Sequence, residues 1–128
     1  MKFYRCKVCG QIVGIVKETG VPLVCCGMNM EELIPLFKEE GLSEKHVPVY
    51  KFNKGGVEVN VGSIVHPMTS DHYIEWIALV TDKGNQRRRL KPGDAPKANF
   101  CLEKGEKVLA IYAYCNIHSL WEVKLEKK

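Results

Sequence analysis

Nine sulfur- and imidazole-bearing residues fall into two groups with different chemistry. Cys6-Lys7-Val8-Cys9 and the adjacent pair Cys25-Cys26 lie near one end, and His46, His66, His72, Cys115 and His118 lie in the last two-thirds. Four thiolates around one ion make a closed tetrahedral site. Several imidazoles around a single thiolate can instead leave a coordination position open for a reactant. The two groups therefore read as two metal centres, one closed and one open to chemistry.

In the first group, a C-x2-C pair on a turn directs two sulfurs at one ion, and Cys25-Cys26 must complete the tetrahedron. Gly10 and Gly27 directly follow the two pairs, where tight turns let backbone amides point at metal-bound sulfur. Adjacent cysteines are unusual, because neighbouring side chains on extended backbone point apart, so a distorted tetrahedron is expected. The donor set alone admits zinc, as in a structural zinc ribbon, as readily as iron. Disulfides would be the remaining use of these thiols, and they are disfavoured in a reducing compartment.

The second group is weaker residue by residue, since a lone histidine is usually a surface or hydrogen-bonded side chain. Two local pairings strengthen it. Cys115-x2-His118 can present both side chains from a turn, and His66-Pro67-Met68-Thr69-Ser70-Asp71-His72 places imidazoles at both ends of a proline-containing loop. Spacing alone leaves open whether the five residues meet.

The elements that must position these groups read as short strands. Residues 3–8 and 11–16 form the first pair, and the first unit ends near residue 34. Residues 35–45 are charged and without a clear period, and read as a linker. Val49–Asn53, Val57–Val61, Tyr73–Thr81, Lys107–Tyr114 and Leu120–Leu125 follow, separated by turn residues such as Lys54-Gly55-Gly56 and Asp82-Lys83-Gly84-Asn85. That spacing favours an antiparallel sandwich or barrel, whose loops can gather at one end. Lys91-Pro92-Gly93-Asp94-Ala95-Pro96 is too rich in breakers for a central strand.

Composition narrows the class. Of 128 residues, 45% are apolar and 27% charged, ordinary for a globular protein. No apolar run reaches the roughly 20 residues of a membrane helix. No apolar stretch precedes Cys6, so no export signal is expected and a cytoplasmic location is. The net charge of +4 is too mild to indicate nucleic acid. The one dense basic patch, Arg87-Arg88-Arg89 with Lys91, reads as a solvated surface or as a face that steers anions. Cys101 in Asn99-Phe100-Cys101-Leu102 reads as a buried small hydrophobe, and Trp76 and Trp121 as core.

Taken in order, these motifs resemble a desulfoferrodoxin, the two-iron class of superoxide reductase. Cys6-Lys7-Val8-Cys9-Gly10 with Val24-Cys25-Cys26-Gly27 is similar to the desulforedoxin unit. Glu44-Lys45-His46-Val47-Pro48, His66-Pro67-Met68, His72-Tyr73-Ile74-Glu75-Trp76-Ile77, Leu90-Lys91-Pro92-Gly93-Asp94-Ala95-Pro96 and Tyr114-Cys115-Asn116-Ile117-His118 carry the rest. The resemblance runs essentially end to end. It implies an all-β chain: a small desulforedoxin-like, metal-bound domain over residues 1–36 and an immunoglobulin-like antiparallel β-sandwich over 37–128, commonly in a homodimer. It further implies two mononuclear iron sites. Cys6, Cys9, Cys25 and Cys26 would hold the first, where zinc is the alternative. His46, His66, His72 and His118 would surround the second, with Cys115 as its axial thiolate. Glu44 matches a carboxylate that can occupy the sixth position after oxidation, and Lys45 a lysine that attracts superoxide. Without the family, both would read as linker charges.

The implied reaction is one-electron reduction of superoxide to hydrogen peroxide, with re-reduction by a small electron-donor protein such as rubredoxin. A thiolate opposite an open position donates electron density toward whatever binds there. Two other functions compete. In one, Glu44 closes the histidine site and the protein only carries electrons. In the other, the chain is a zinc-ribbon nucleic-acid module using Arg87–Arg89, which leaves five potential ligands unexplained.

Overall fold

A computed structural model describes residues 1–38 and 41–125, in two compact units, Met1–Ile34 and Pro35–Lys128. The first unit is made of very short strands: β1 (Phe3–Arg5), β2 (Ile12–Gly14), β3 (Val24–Cys25), β4 (Met28–Asn29) and β5 (Glu31–Glu32). β1 lies between β2 and β5, and β3 pairs with β4 as a separate hairpin, all antiparallel. Buried apolar side chains described in this unit are Phe3, Cys6 and Leu33. So small an apolar set cannot organise a domain by burial alone, and small domains of this kind depend on a metal or on cross-links.

The second unit opens with a single helical turn, α1 (Ser43–His46). Seven strands follow: β6 (Pro48–Asn53), β7 (Gly56–Val61), β8 (Ile74–Thr81), β9 (Gly84–Arg89), β10 (Lys97–Cys101), β11 (Val108–Cys115) and β12 (Ser119–Lys124). They form two antiparallel sheets, β10-β7-β6 and β12-β11-β8-β9. This is the all-β sandwich that the strand spacing predicts. Its core draws on both sheets, with Val57, Val59 and Val61 of β7 facing Ile77, Leu79 and Ile111 of β8 and β11. Burying each such side chain is worth about 1.5–3 kcal/mol. The Val-Glu-Val-Asn-Val alternation of β7 is what a strand with one covered face requires.

Several expectations change in detail. The stretch read as a featureless linker carries α1, and Leu36 forms a parallel bridge to Trp121. Part of it, residues 39 and 40, lies outside the described residues. The short strand β10 follows directly on the Pro-rich segment and has no counterpart in the sequence reading. Only Ala98 and Phe100 turn inward along it, too brief an alternation to stand out. That pattern also corrects the reading of Cys101. Read as a small core residue beside Phe100, it is instead turned outward by the pleat and exposed. Arg87–Arg89 sit on β9, an edge strand, where a run of charges discourages pairing with another chain. Arg88 donates to the Asn99 carbonyl and Gln86 to that of Cys101, so β9 side chains bridge the two sheets along one side.

Candidate metal centres

The four cysteines of the first unit converge. The ligand atoms of Cys6, Cys9, Cys25 and Cys26 all lie within 4.8 Å of one another. Cys9 Sγ is 3.7 Å from Cys25 Sγ, which is 3.9 Å from Cys26 Sγ. A tetrahedron built on metal–sulfur bonds of about 2.3 Å has edges of about 3.8 Å, so the sulfurs already have metal-site spacing. The adjacent cysteines meet because Cys26 has φ 53°, followed by Gly27 at φ 74°. Left-handed backbone swings the second side chain round to its neighbour, whereas extended backbone would send it away. The expected penalty of a Cys-Cys pair thus falls on the backbone at Cys26.

Protonation separates these thiols. The Cys9 amide, donating to Cys6 Sγ at 3.4 Å, is the largest influence drawing the Cys6 thiol down to about 6. Interactions with Cys6 and Cys9 push Cys25 up to about 12 and raise Cys26. Metal-free, the cluster shares protons among sulfurs. A bound cation lets all four ionise together.

The second cluster lies at one end of the sandwich, where α1 enters β6, β7 leaves for β8, and β11 turns into β12. Ligand atoms of His46, His66, His72 and Cys115 lie within 4.8 Å of one another. His118 completes a ring. Centroid separations run 4.6 Å from His46 to His66, 4.7 Å to His72, 5.1 Å to His118 and 4.7 Å back to His46. Across the ring, His46 and His72 are 6.4 Å apart and within 29° of parallel, whereas neighbours cross at 64–79°. Four imidazoles thus stand as the blades of a square. Cys115 Sγ, fully buried in the sandwich core, lies 3.8 Å from His118 Nδ1.

The tautomers of two imidazoles follow from their partners. His46 Nδ1 lies 2.8 Å from the Leu42 carbonyl oxygen and His66 Nδ1 2.6 Å from that of Pro67. A carbonyl only accepts, so both Nδ1 atoms carry the hydrogen and both Nε2 atoms present lone pairs. Those two Nε2 atoms face each other at 3.1 Å. Two acceptors at that distance repel unless a cation or a proton lies between them. His72 Nε2 is buried with no hydrogen-bond partner. Together with the soft thiol of Cys115, these inward-facing lone pairs fit an iron ion.

Burial also keeps these imidazoles neutral. Desolvation is the main cause lowering His46, His72 and His66, the last to about 4. The Lys45 charge adds to the effect on His46 and His72. Desolvation raises the Cys115 thiol against amide donation from His118 and Ile117.

Residues absent from the sequence reading of the site hold this geometry. Trp121, expected only as core, stacks on His46 at 4.8 Å and donates from Nε1 to the His118 carbonyl at 2.9 Å. Asn116 accepts from the Tyr73 amide and donates to the Asp71 carbonyl, tying the Cys115–His118 turn to the His72 loop. The β11–β8 register slips by one residue across Glu75, between Tyr114↔Trp76 and Cys115↔Ile74. Bulges of this kind re-aim a side chain beside a site. Glu44 and Lys45 are exposed on α1, directly before His46.

The desulfoferrodoxin family model matches residues 38–124, and the model of its N-terminal domain matches residues 1–33. The chain belongs to the desulfoferrodoxin family. It is 46% identical to a desulfoferrodoxin of Nitratidesulfovibrio vulgaris, covering 96% of this chain and 95% of that one. It is 48% identical to a desulfoferrodoxin homolog of Archaeoglobus fulgidus, covering 95% of each. Its fold is similar to that of the superoxide reductase from Treponema pallidum, with a TM-score of 0.80 at 34% identity over 96% of both chains. For a desulfoferrodoxin, the two donor sets fit two iron centres.

Proposed function

We propose that this chain is a superoxide reductase acting at the histidine–cysteine centre. The observation that carries the reading is the square of four imidazoles set beside a buried thiol, with the Nε2 lone pairs of His46 and His66 facing each other. In this assignment His46, His66, His72, His118 and Cys115 would hold the reacting iron. Cys6, Cys9, Cys25 and Cys26 would hold the other iron, which ties the small unit together. Residues 1–36 and 37–128 are the two functional domains.

The overall reaction takes one superoxide, one electron and two protons to hydrogen peroxide. When bound, ferrous iron supplies the electron. Neutral imidazoles would hold that cation without cancelling its charge, so the centre would attract an anion. The core position of Cys115 keeps its sulfur from solvent and from competing oxidation. Lys45 is exposed, and its charge reaches His46 and His72. A cation there raises the encounter rate with superoxide and holds water where protons are delivered. Glu44, one residue earlier, would supply a carboxylate to the oxidised centre and is not needed for the first encounter.

The electron must be replaced after each turnover, and a small electron-carrying protein of the rubredoxin kind supplies it. Family likeness supports a homodimer. Six free cysteines suit the reducing cytoplasm. Among the described residues no helix is long and apolar enough to cross a membrane.

A visible absorption spectrum of the purified protein, before and after mild oxidation, tests the assignment. A broad long-wavelength band that grows on oxidation, added to a ferric tetrathiolate spectrum, is expected. A colourless protein in both states would mean zinc or empty sites and would contradict it.

A further inference from the structure

α1 places Glu44 and Lys45 in solvent, yet one turn of helix cannot hold itself. Isolated helical segments this short are unstable in water. Its first residue has no side-chain cap. What fixes it is the turn that leaves β7. The Ile64 amide donates to the Glu44 carbonyl at 2.9 Å, Ser63 Oγ approaches the same oxygen at 3.3 Å, and the Gly62 amide donates to the Val47 carbonyl at 3.1 Å. Three links therefore join two ligand-bearing segments, one ending in His46 and the other in His66.

Gly62 permits this approach. Its backbone has φ +82°, and a Cβ there would lie 2.6 Å from the Ile64 oxygen, 2.7 Å from the Glu44 oxygen and 2.7 Å from the Lys45 carbonyl carbon. All three are backbone atoms, so none can move aside as a flexible side chain would. Any larger residue at this buried position must push the Glu44-Lys45 backbone outward.

We propose that Gly62 and Ser63 are positioning residues for superoxide reduction, holding the Glu44-Lys45 segment against the mouth of the histidine centre. The inference rests on the superoxide reductase reading and adds to it the reason an exposed lysine on a single turn keeps a fixed place. Ligand geometry at His66 is set separately, by Pro67 and by packing in the sandwich.

The test uses the iron-loaded full chain and its Gly62→Ala variant. Three quantities are measured: iron content, the second-order rate with superoxide against ionic strength, and hydrogen exchange at the amides of Gly62 and Ile64. With full iron, Gly62→Ala should react about tenfold more slowly, the lower end of what electrostatic steering provides. Its salt dependence should flatten, and both amides should exchange faster. Adding Lys45→Ala to Gly62→Ala should slow the reaction no further than Lys45→Ala alone. Losses that multiply instead, or a Gly62→Ala protein with normal rate and salt dependence, overturn the proposal. Should Gly62→Ala fail to take up iron, Ser63→Ala carries the test, since it cuts one link and leaves the backbone alone. It should slow the reaction about twofold, the loss of one modest hydrogen bond, with faster exchange at Ile64. Unchanged exchange and rate would overturn the proposal. A wild-type protein inert to superoxide would sink the functional reading instead, while the exchange measurement would still judge the turn.

Discussion

The two metal centres are built in opposite ways. In Met1–Ile34 the ligands sit on turns between strands of two or three residues, with little apolar burial to place them. In Pro35–Lys128 they sit on α1, in the loop between β7 and β8, and at the turn from β11 to β12, over a continuous core. The first site has its sulfurs in place but too little apolar burial around them to hold the unit without an ion. The second is assembled by packing, and its ion arrives at lone pairs already arranged. This division suits their tasks: a closed tetrathiolate has only to hold the small unit together, whereas a reacting centre must keep its ligands in place through each turnover.

Removing metal should break the comparison most clearly. Structural tetrahedral sites contribute on the order of 10 kcal/mol to folding of small domains. After chelation, amides of residues 1–34 should exchange within seconds, while β8 and β11 stay protected. Loss of protection in both units together would mean that the sandwich also depends on its ion.

Acid should act on the metal-free sandwich next. His66 titrates near 6.5 when unfolded and at about 4 when folded, because burial disfavours its charge. Above pH 6.5 both states are neutral and stability is flat. Between 6.5 and 4 the unfolded chain takes up a proton that the folded one refuses, so stability falls as pH falls. The loss from His66 alone is on the order of 3 kcal/mol. Denaturant unfolding at several pH values reads this directly. A sandwich equally stable at pH 4 and 7 would show that the imidazoles are not desolvated.

Lys45→Ala concerns rate and leaves folding alone. The reaction with superoxide should slow by about tenfold at low salt and lose its ionic-strength dependence, with unfolding unchanged. An unaltered rate would remove Lys45 from the mechanism. Trp121→Phe is expected to have the smallest effect. It keeps an aromatic ring beside His46 but deletes the donor to His118 and leaves a small void in place of the buried indole, at a cost of about 1–2 kcal/mol in stability, with iron retained. Loss of iron would mean that this hydrogen bond, and not packing, holds the His118 turn.

Legibility differed between the two regions for the same physical reason. The tetrathiolate is local, so Cys6-x2-Cys9 and Cys25-Cys26 announce it by spacing. Only the left-handed Cys26, which lets neighbours converge, was hidden. The histidine square draws on residues 46 to 118, and no pairwise spacing shows that β6, β7, β8, β11 and β12 bring them to one end. Family likeness supplied that connection. Strand β10 and the exposure of Cys101 were missed because two inward residues make a weak alternation. Trp121 looked like any core aromatic, since a ring that buries itself and also supports a ligand has no separate signature. Nothing in the sequence marks Gly62, whose closeness to Glu44 is a tertiary fact.

The most direct test is the reaction of the fully reduced protein with superoxide generated by pulse radiolysis, followed in the visible band of the oxidised centre. A superoxide reductase should react in second order near the diffusional ceiling of about 10⁸–10⁹ M⁻¹s⁻¹, yielding one hydrogen peroxide per oxidised histidine–cysteine centre. A reduced, iron-loaded protein that leaves superoxide to decay at its uncatalysed rate would contradict it.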